Sequence, residues 1–155
     1  MTKIVVNNCA GGFGLSHEAI MLYGSLKKMN ITPYIKIDTK SSLNYKKMEY
    51  EERPERSYNI LYCNLPIGEI APDYVDENYV STHYFKESYF DTEELKKFRT
   101  DFFLIEVVNR LGELANGDCA DLKVVEIPGD VNWYLNVLDN GYENIHEAHR
   151  VWRAD

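Results

Sequence analysis

The sequence predicts an α+β fold: a mixed or mostly antiparallel sheet with two main helices, a β-α-β start and a C-terminal β-hairpin. Three observations carry that expectation. The β-branched run Ile4-Val5-Val6 leads through a glycine-rich turn into an amphipathic stretch. A second stretch of helical period covers residues 101–115. Asp139-Asn140-Gly141 separates two strand-like runs, and Asn-Gly between such runs is the strongest short hairpin signal.

In chain order, residues 3–8 read as a buried central strand, because their apolar run does not alternate. Ser16 is an N-cap for a helix reaching about residue 29, with Ala19, Leu22, Tyr23, Leu26 and Met29 on one face. Asn30 is a C-terminal stop. Residues 31–38 read as a strand, 39–57 as a polar loop or extension, and 58–63 as a strand. Pro66, Gly68 and Pro72 make 65–78 irregular. Aromatic and β-branched residues over 79–89 favour a strand. Residues 91–98 form a short helical turn. Thr100 or Asp101 caps a helix ending near Ala115, with the stripe Leu104, Val107, Val108, Leu111 and Leu114 and a left-handed cap at Asn116-Gly117. A strand over 122–127 stops at Pro128-Gly129, and the hairpin strands cover 133–138 and 143–152. Tyr142, Ile145, His149 and Trp152 also share a helical face, so a final helix competes with the second hairpin strand.

A chain of 155 residues, 45% hydrophobic, fits one domain, in which 40–98 is a less regular, insertion-like region. The net charge of −8 argues against nucleic-acid and anionic-membrane partners. It leaves room for a small anion held by a local cluster of donors. Three cysteines, an odd count without a CxxC pair, fit free thiols in a reducing compartment. The start of the chain runs straight into a strand, which predicts no signal peptide. Twelve tyrosines suit a ligand pocket or subunit interface, and equally suit sheet positions.

The candidate site is the turn Gly11-Gly12-Phe13-Gly14-Leu15-Ser16, followed by His17 at the first helical position. Glycines let another group approach the backbone. The helix start presents unpaired amides and a positive dipole end, which together make a phosphate site. The turn is not a P-loop, since Gly-Lys-Ser/Thr is missing. It is not the dinucleotide fingerprint either, since His17 stands at the third glycine position. The alternative is a tight turn that folds Phe13 into the core.

The stretches KIVVNNC-x-GGFGLSHEA, Leu111-Gly112-Glu113-Leu114-Ala115-Asn116-Gly117, LKVVEIP-x-DVNWY and HEAHRVW resemble a family of small proteins found in bacteriophage and prophage genomes. The likeness covers roughly residues 1–30 and 99–153. Members carry an aromatic residue where this chain has Ala10, and tend to carry proline where it has Phe102. A stacking role at position 10 is therefore not carried over. The family has no settled biochemical function. The resemblance implies a phage origin and a location in the host cytoplasm.

Other constellations compete with the turn. In His146-Glu147-Ala148-His149 the histidines are three apart, a spacing that shares a metal on a helix and splits across faces on a strand. On the strand reading no metal is expected. Arg99, Arg110, Lys123 and Arg150 are basic residues in the family-like part, able to grip a carboxylate or phosphate if they face inward. For Arg110 the competing reading is a salt bridge with Glu106 or Glu113. Arg150 and Trp152 share a strand face, as in Arg–aromatic stacking beside a nucleobase. Cys9 is the one thiol near a helix start, though a small buried residue is the simpler reading. Ser16 lacks GxSxG, and no paired-carboxylate pattern stands out.

The expectation is thus a phage-encoded small-ligand-binding protein without catalytic residues or cofactor. It would hold a phosphate-bearing nucleotide signal of host anti-phage defence through Gly11, Gly12, Phe13, Gly14, Ser16, His17, Arg99, Arg110 and Arg150. Self-association into a homo-oligomer is compatible with the tyrosine-rich surface. Two alternatives remain open. One is an acidic inhibitor of a host defence protein contacting it through 40–98, including Glu49, Glu51 and Glu52. The other is a nucleotide-processing enzyme using His17 or His149.

Overall fold

A computed structural model describes residues 1–49 and 60–148. Among these, all strand pairings are antiparallel, so the fold is α+β with a C-terminal hairpin. Strand β1 (Thr2–Asn7) pairs with β6 (Leu122–Ile127) in the register Thr2↔Ile127 to Asn7↔Leu122. A second sheet has the order β4-β2-β3-β5, from β2 (Asn30–Lys36), β3 (Tyr45–Lys47), β4 (Ile60–Leu65) and β5 (Tyr74–Val75). Strands β7 (Trp133–Val137) and β8 (Glu143–Glu147) form the hairpin around Asn140-Gly141. The β-α-β start exists as chain order, but β1 and β2 lie in different sheets.

Strand β1 is buried without being central in a ladder, since β6 is its one partner among the described strands. Its two faces meet different layers. Val5 enters the main core with Ala19, Leu104 and Val107. Ile4 and Val6 meet Trp133 under the hairpin. Period-two alternation thus buries an uninterrupted apolar run from both sides.

Helix α1 (His17–Leu26) is capped by Ser16, whose hydroxyl accepts the Ala19 N–H. It ends earlier than the apolar spacing implies. Lys28 takes φ 57°. Lys28 N–H then donates to the Ser25 carbonyl and Met29 N–H to that of Gly24, the two closing bonds of a Schellman stop. The stop is therefore Lys28, not Asn30.

The expected strand over 79–89 is instead helix α2 (Glu77–His83), followed by an irregular segment. Asp76 caps α2 by accepting the Tyr79 N–H at 2.8 Å, and that local bond outweighs the β preference of Tyr79, Val80 and Thr82. After α2 the Phe85 N–H still reaches the Tyr62 carbonyl, so the segment leans on β4 without forming a strand. Two short strands, β3 and β5, occupy stretches read as loop, paired to each other at Tyr45↔Val75.

Helix α3 (Thr92–Arg99) is capped by Asp91 and α4 (Phe102–Leu111) by Asp101. The left-handed residue ending α4 is Gly112 at φ 55°, not Asn116-Gly117. A 3₁₀ turn, Gly112–Ala115, follows. This break rotates Leu114 out to solvent, so it leaves the predicted stripe, while Ala115 is fully buried. No helix of the described residues is long and apolar enough to cross a membrane.

Candidate functional site

The glycine-rich turn is clasped from two sides. Gly11 and Gly12 adopt φ of 117° and 92°, values that favour glycine. The Gly11 N–H donates to the Asn140 carbonyl at 2.7 Å, joining the turn to the hairpin tip. The Gly117 N–H donates to the Gly14 carbonyl at 2.8 Å. A Cβ at Gly117 would stand 2.7 Å from the Gly14 carbonyl carbon, and one at Gly11 would stand 2.5 Å from the Cys119 Cβ. These glycines permit packing of backbone against backbone.

The donors expected to hold an external anion are largely engaged. The Ser16 hydroxyl donates to the Leu114 carbonyl at 2.5 Å, and the Ser16 N–H donates to the Ala115 carbonyl. The Leu15 N–H donates to Glu87 Oε2 at 3.3 Å. A carboxylate of the protein thus sits where the dipole would attract an anion.

The two arginine candidates among the described residues, Arg99 and Arg110, do not converge on the turn's open side. Arg99, on α3, is buried at 4% exposure. Its guanidinium donates twice to Glu143, at 2.6 and 2.9 Å, and once to the Val5 carbonyl at 3.1 Å. It also lies 3.6 Å from the centre of the Phe13 ring. Glu143 accepts the Asn7 N–H as well, and the Asn7 side chain bonds the Cys9 and Gly141 carbonyls and the Asp121 N–H. Arg110 is half-exposed and pairs with Glu106 at 2.8 Å, the helical pairing that its spacing offered. Arg150, His149 and Trp152 lie outside the described residues, as do Glu51 and Glu52. Glu49 is exposed. His17 meets the Tyr62 hydroxyl through Nδ1 at 2.8 Å. His146, on β8, lies against the Tyr134 ring. Among the described residues no group of three His, Cys, Asp or Glu could hold a metal ion.

What the turn does border is a pocket of about 310 Å³. Phe13, Gly14 and Leu15 form one wall, and β4 supplies Tyr62. The irregular segment after α2 contributes Tyr84, Phe85 and Glu87, and Gly117-Asp118 closes the rim. Phe13 is fixed from behind by Arg99 and by an edge-on contact with Phe98 at 6.0 Å between ring centres. Tyr62 and Phe85 are buried, while Tyr84 is half-exposed.

Glu87 is the chemically distinctive residue of this pocket. Burial pushes its carboxyl up to about 7, although the Leu15 N–H and the charge of Arg99 pull the other way. A carboxyl raised in this way within a cleft is a functional-site candidate. Sequence reasoning missed Glu87, Tyr62, Tyr84, Phe85 and Asp118. The one available signal was a lone acid within the aromatic run 79–90, unreadable while that run was taken for a strand.

No family model, curated protein or solved structure matches the chain.

Proposed function

We propose that the chain is a small-ligand-binding protein whose site is the pocket beneath Phe13, Gly14 and Leu15. The observation that carries this reading is the pairing of an aromatic-lined concavity with Glu87, a half-buried carboxyl held on the Leu15 N–H and pushed up to about 7. Small-molecule sites combine such walls with a few placed polar groups, at volumes of about 300–1,000 Å³. The glycine turn supports the site by shaping its wall; the phosphate grip first expected of it is not part of this proposal. The family resemblance favours the cytoplasm of a phage-infected host as the setting, and a nucleotide-type signal of host defence suits that setting by ecological analogy, with any phosphates directed to solvent.

Thermal denaturation in the presence of nucleosides and nucleotides tests the proposal. A ligand at one hundred times its Kd should raise Tm by roughly 5–10 °C in a domain of this size. Tyr84→Ala should reduce the rise while leaving the unliganded Tm nearly unchanged, because the ring is half-exposed. A panel that leaves Tm flat for the unmodified protein contradicts the proposal.

A further inference from the structure

We infer that this pocket receives the N–H-bearing edge of a flat nitrogen heterocycle of the nucleobase class, read by Glu87. The inference rests on the pocket being a ligand site and adds the chemistry of its occupant.

Charge excludes the alternatives first. Among the described residues, Glu87 and Asp118 are the charged side chains lining the pocket, and both are acidic. Among those residues neither lysine nor arginine lines it, so a phosphate placed against them would meet carboxylates without a paired cation. Arg99, whose charge acts on Glu87, is already committed to Glu143 by two short bonds.

Hydrogen bonding then selects donors. The Leu15 N–H takes Glu87 Oε2, and Oε1 has no protein donor among the described residues. An ionised carboxylate only accepts, so the complementary ligand edge must donate. Ring stacking selects flatness. Tyr84 offers a half-exposed ring at the mouth, and Phe13 is held rigid against Arg99. Aromatic faces favour planar π-systems and lose little entropy on contact. A nucleobase with adjacent N–H groups, as on guanine, satisfies both demands.

The groups around Glu87 set the pH response. From the turn, the Leu15 N–H favours the ionised form, and from α3 so does Arg99. From the rim, Asp118 adds negative charge. Tyr62 and Tyr84 complete the surroundings, with His17 behind Tyr62. Burial wins over the favourable contributions and raises the carboxyl to about 7. Only the ionised form accepts on both oxygens, so the competent fraction rises from about one tenth at pH 6 to about nine tenths at pH 8, an expected gain in affinity of about tenfold.

Calorimetric titration with guanosine, adenosine, cytidine, uridine, tyramine and inorganic phosphate, at pH 6 and pH 8, tests this. The expected result is binding of at least one nucleoside about tenfold tighter at pH 8, and no binding of phosphate. Glu87→Gln should weaken that nucleoside by about tenfold or more at pH 8 and flatten its pH dependence. Tyr84→Ala should weaken it without changing the pH dependence, which separates the reading group from the stacking platform. Nucleoside binding that is flat in pH and unaffected by Glu87→Gln overturns the inference while leaving the ligand-site proposal intact. Tyramine or phosphate binding in preference to every nucleoside overturns the nucleobase class. Absence of binding by every probe overturns both.

Discussion

Two glutamates, Glu143 buried and Glu87 half-buried, make opposite use of the same carboxylate. Glu143 sits on the hairpin side of the glycine turn, buried beside Arg99, with its oxygens meeting two guanidinium N–H groups and the Asn7 N–H. Glu87 sits on the pocket side, with one backbone N–H and no cation in direct contact among the described residues. Each oxygen of the first already accepts at least one protein hydrogen bond. The second keeps an accepting oxygen, and its protonation is balanced near neutrality. With both oxygens engaged the first acts as a lock, and in the site proposed above the second, with an oxygen to spare, is the receptor. The turn between them carries Phe13, stacked on the lock and lining the receptor.

Breaking the lock should have the largest effect. Glu143→Ala strands the Arg99 guanidinium in the interior and is expected to cost about 3–5 kcal/mol, read as a lowered denaturant midpoint. The double change Arg99→Met with Glu143→Leu should recover most of that loss, because a buried pair replaced by apolar groups of similar size is often neutral. A double variant as unstable as the single one would mean that the Asn7 and Val5 contacts, not the ion pair, hold the hairpin.

The receptor carboxylate should affect stability in the opposite sense. Its folded pKa lies above its ordinary value, so between about 4.5 and about 7 the folded protein binds more protons than the unfolded one. Glu87 therefore costs stability as pH rises through that window. Glu87→Gln should remove this slope and stabilise the unliganded protein at pH 8 by up to about 3 kcal/mol. Chemical denaturation at pH 5 and pH 8 checks it, and a slope unchanged by the substitution would place the titration elsewhere.

The smallest effect belongs to Arg110. Its pair with Glu106 lies on the surface of α4 and is worth about 0.2–1 kcal/mol. Arg110→Ala should leave ligand affinity untouched in the same titrations. A loss of affinity there would reinstate Arg110 as a ligand contact.

How much of this was legible in the sequence follows from distance along the chain. The Ser16 and Asp101 caps, the Asn140-Gly141 tip and the Arg110–Glu106 pair depend on residues within a few positions, and propensity rules find them. Where two local rules compete, the reading fails. Asp76 as a cap prevails over the β preference of the residues after it, and Gly112 ends α4 before Gly117 can. The site proper is non-local. Glu87 reaches Leu15 across 72 positions and Arg99 reaches Glu143 across 44, and neither spacing carries a signal before the fold is known. Arg99 therefore read as a ligand grip, because an arginine in a pattern looks the same whether it faces a ligand or a glutamate.

The most direct measurement is a ¹³C NMR titration of the Glu87 carboxyl, free and with the tightest-binding nucleoside present. A midpoint near 7 in the free protein, moving to lower pH on saturation, is the predicted result, because a donor-bearing ligand favours the ionised form. A free midpoint in the ordinary carboxylate range, or one that the ligand leaves unmoved, would contradict the assignment of Glu87 as the reading group.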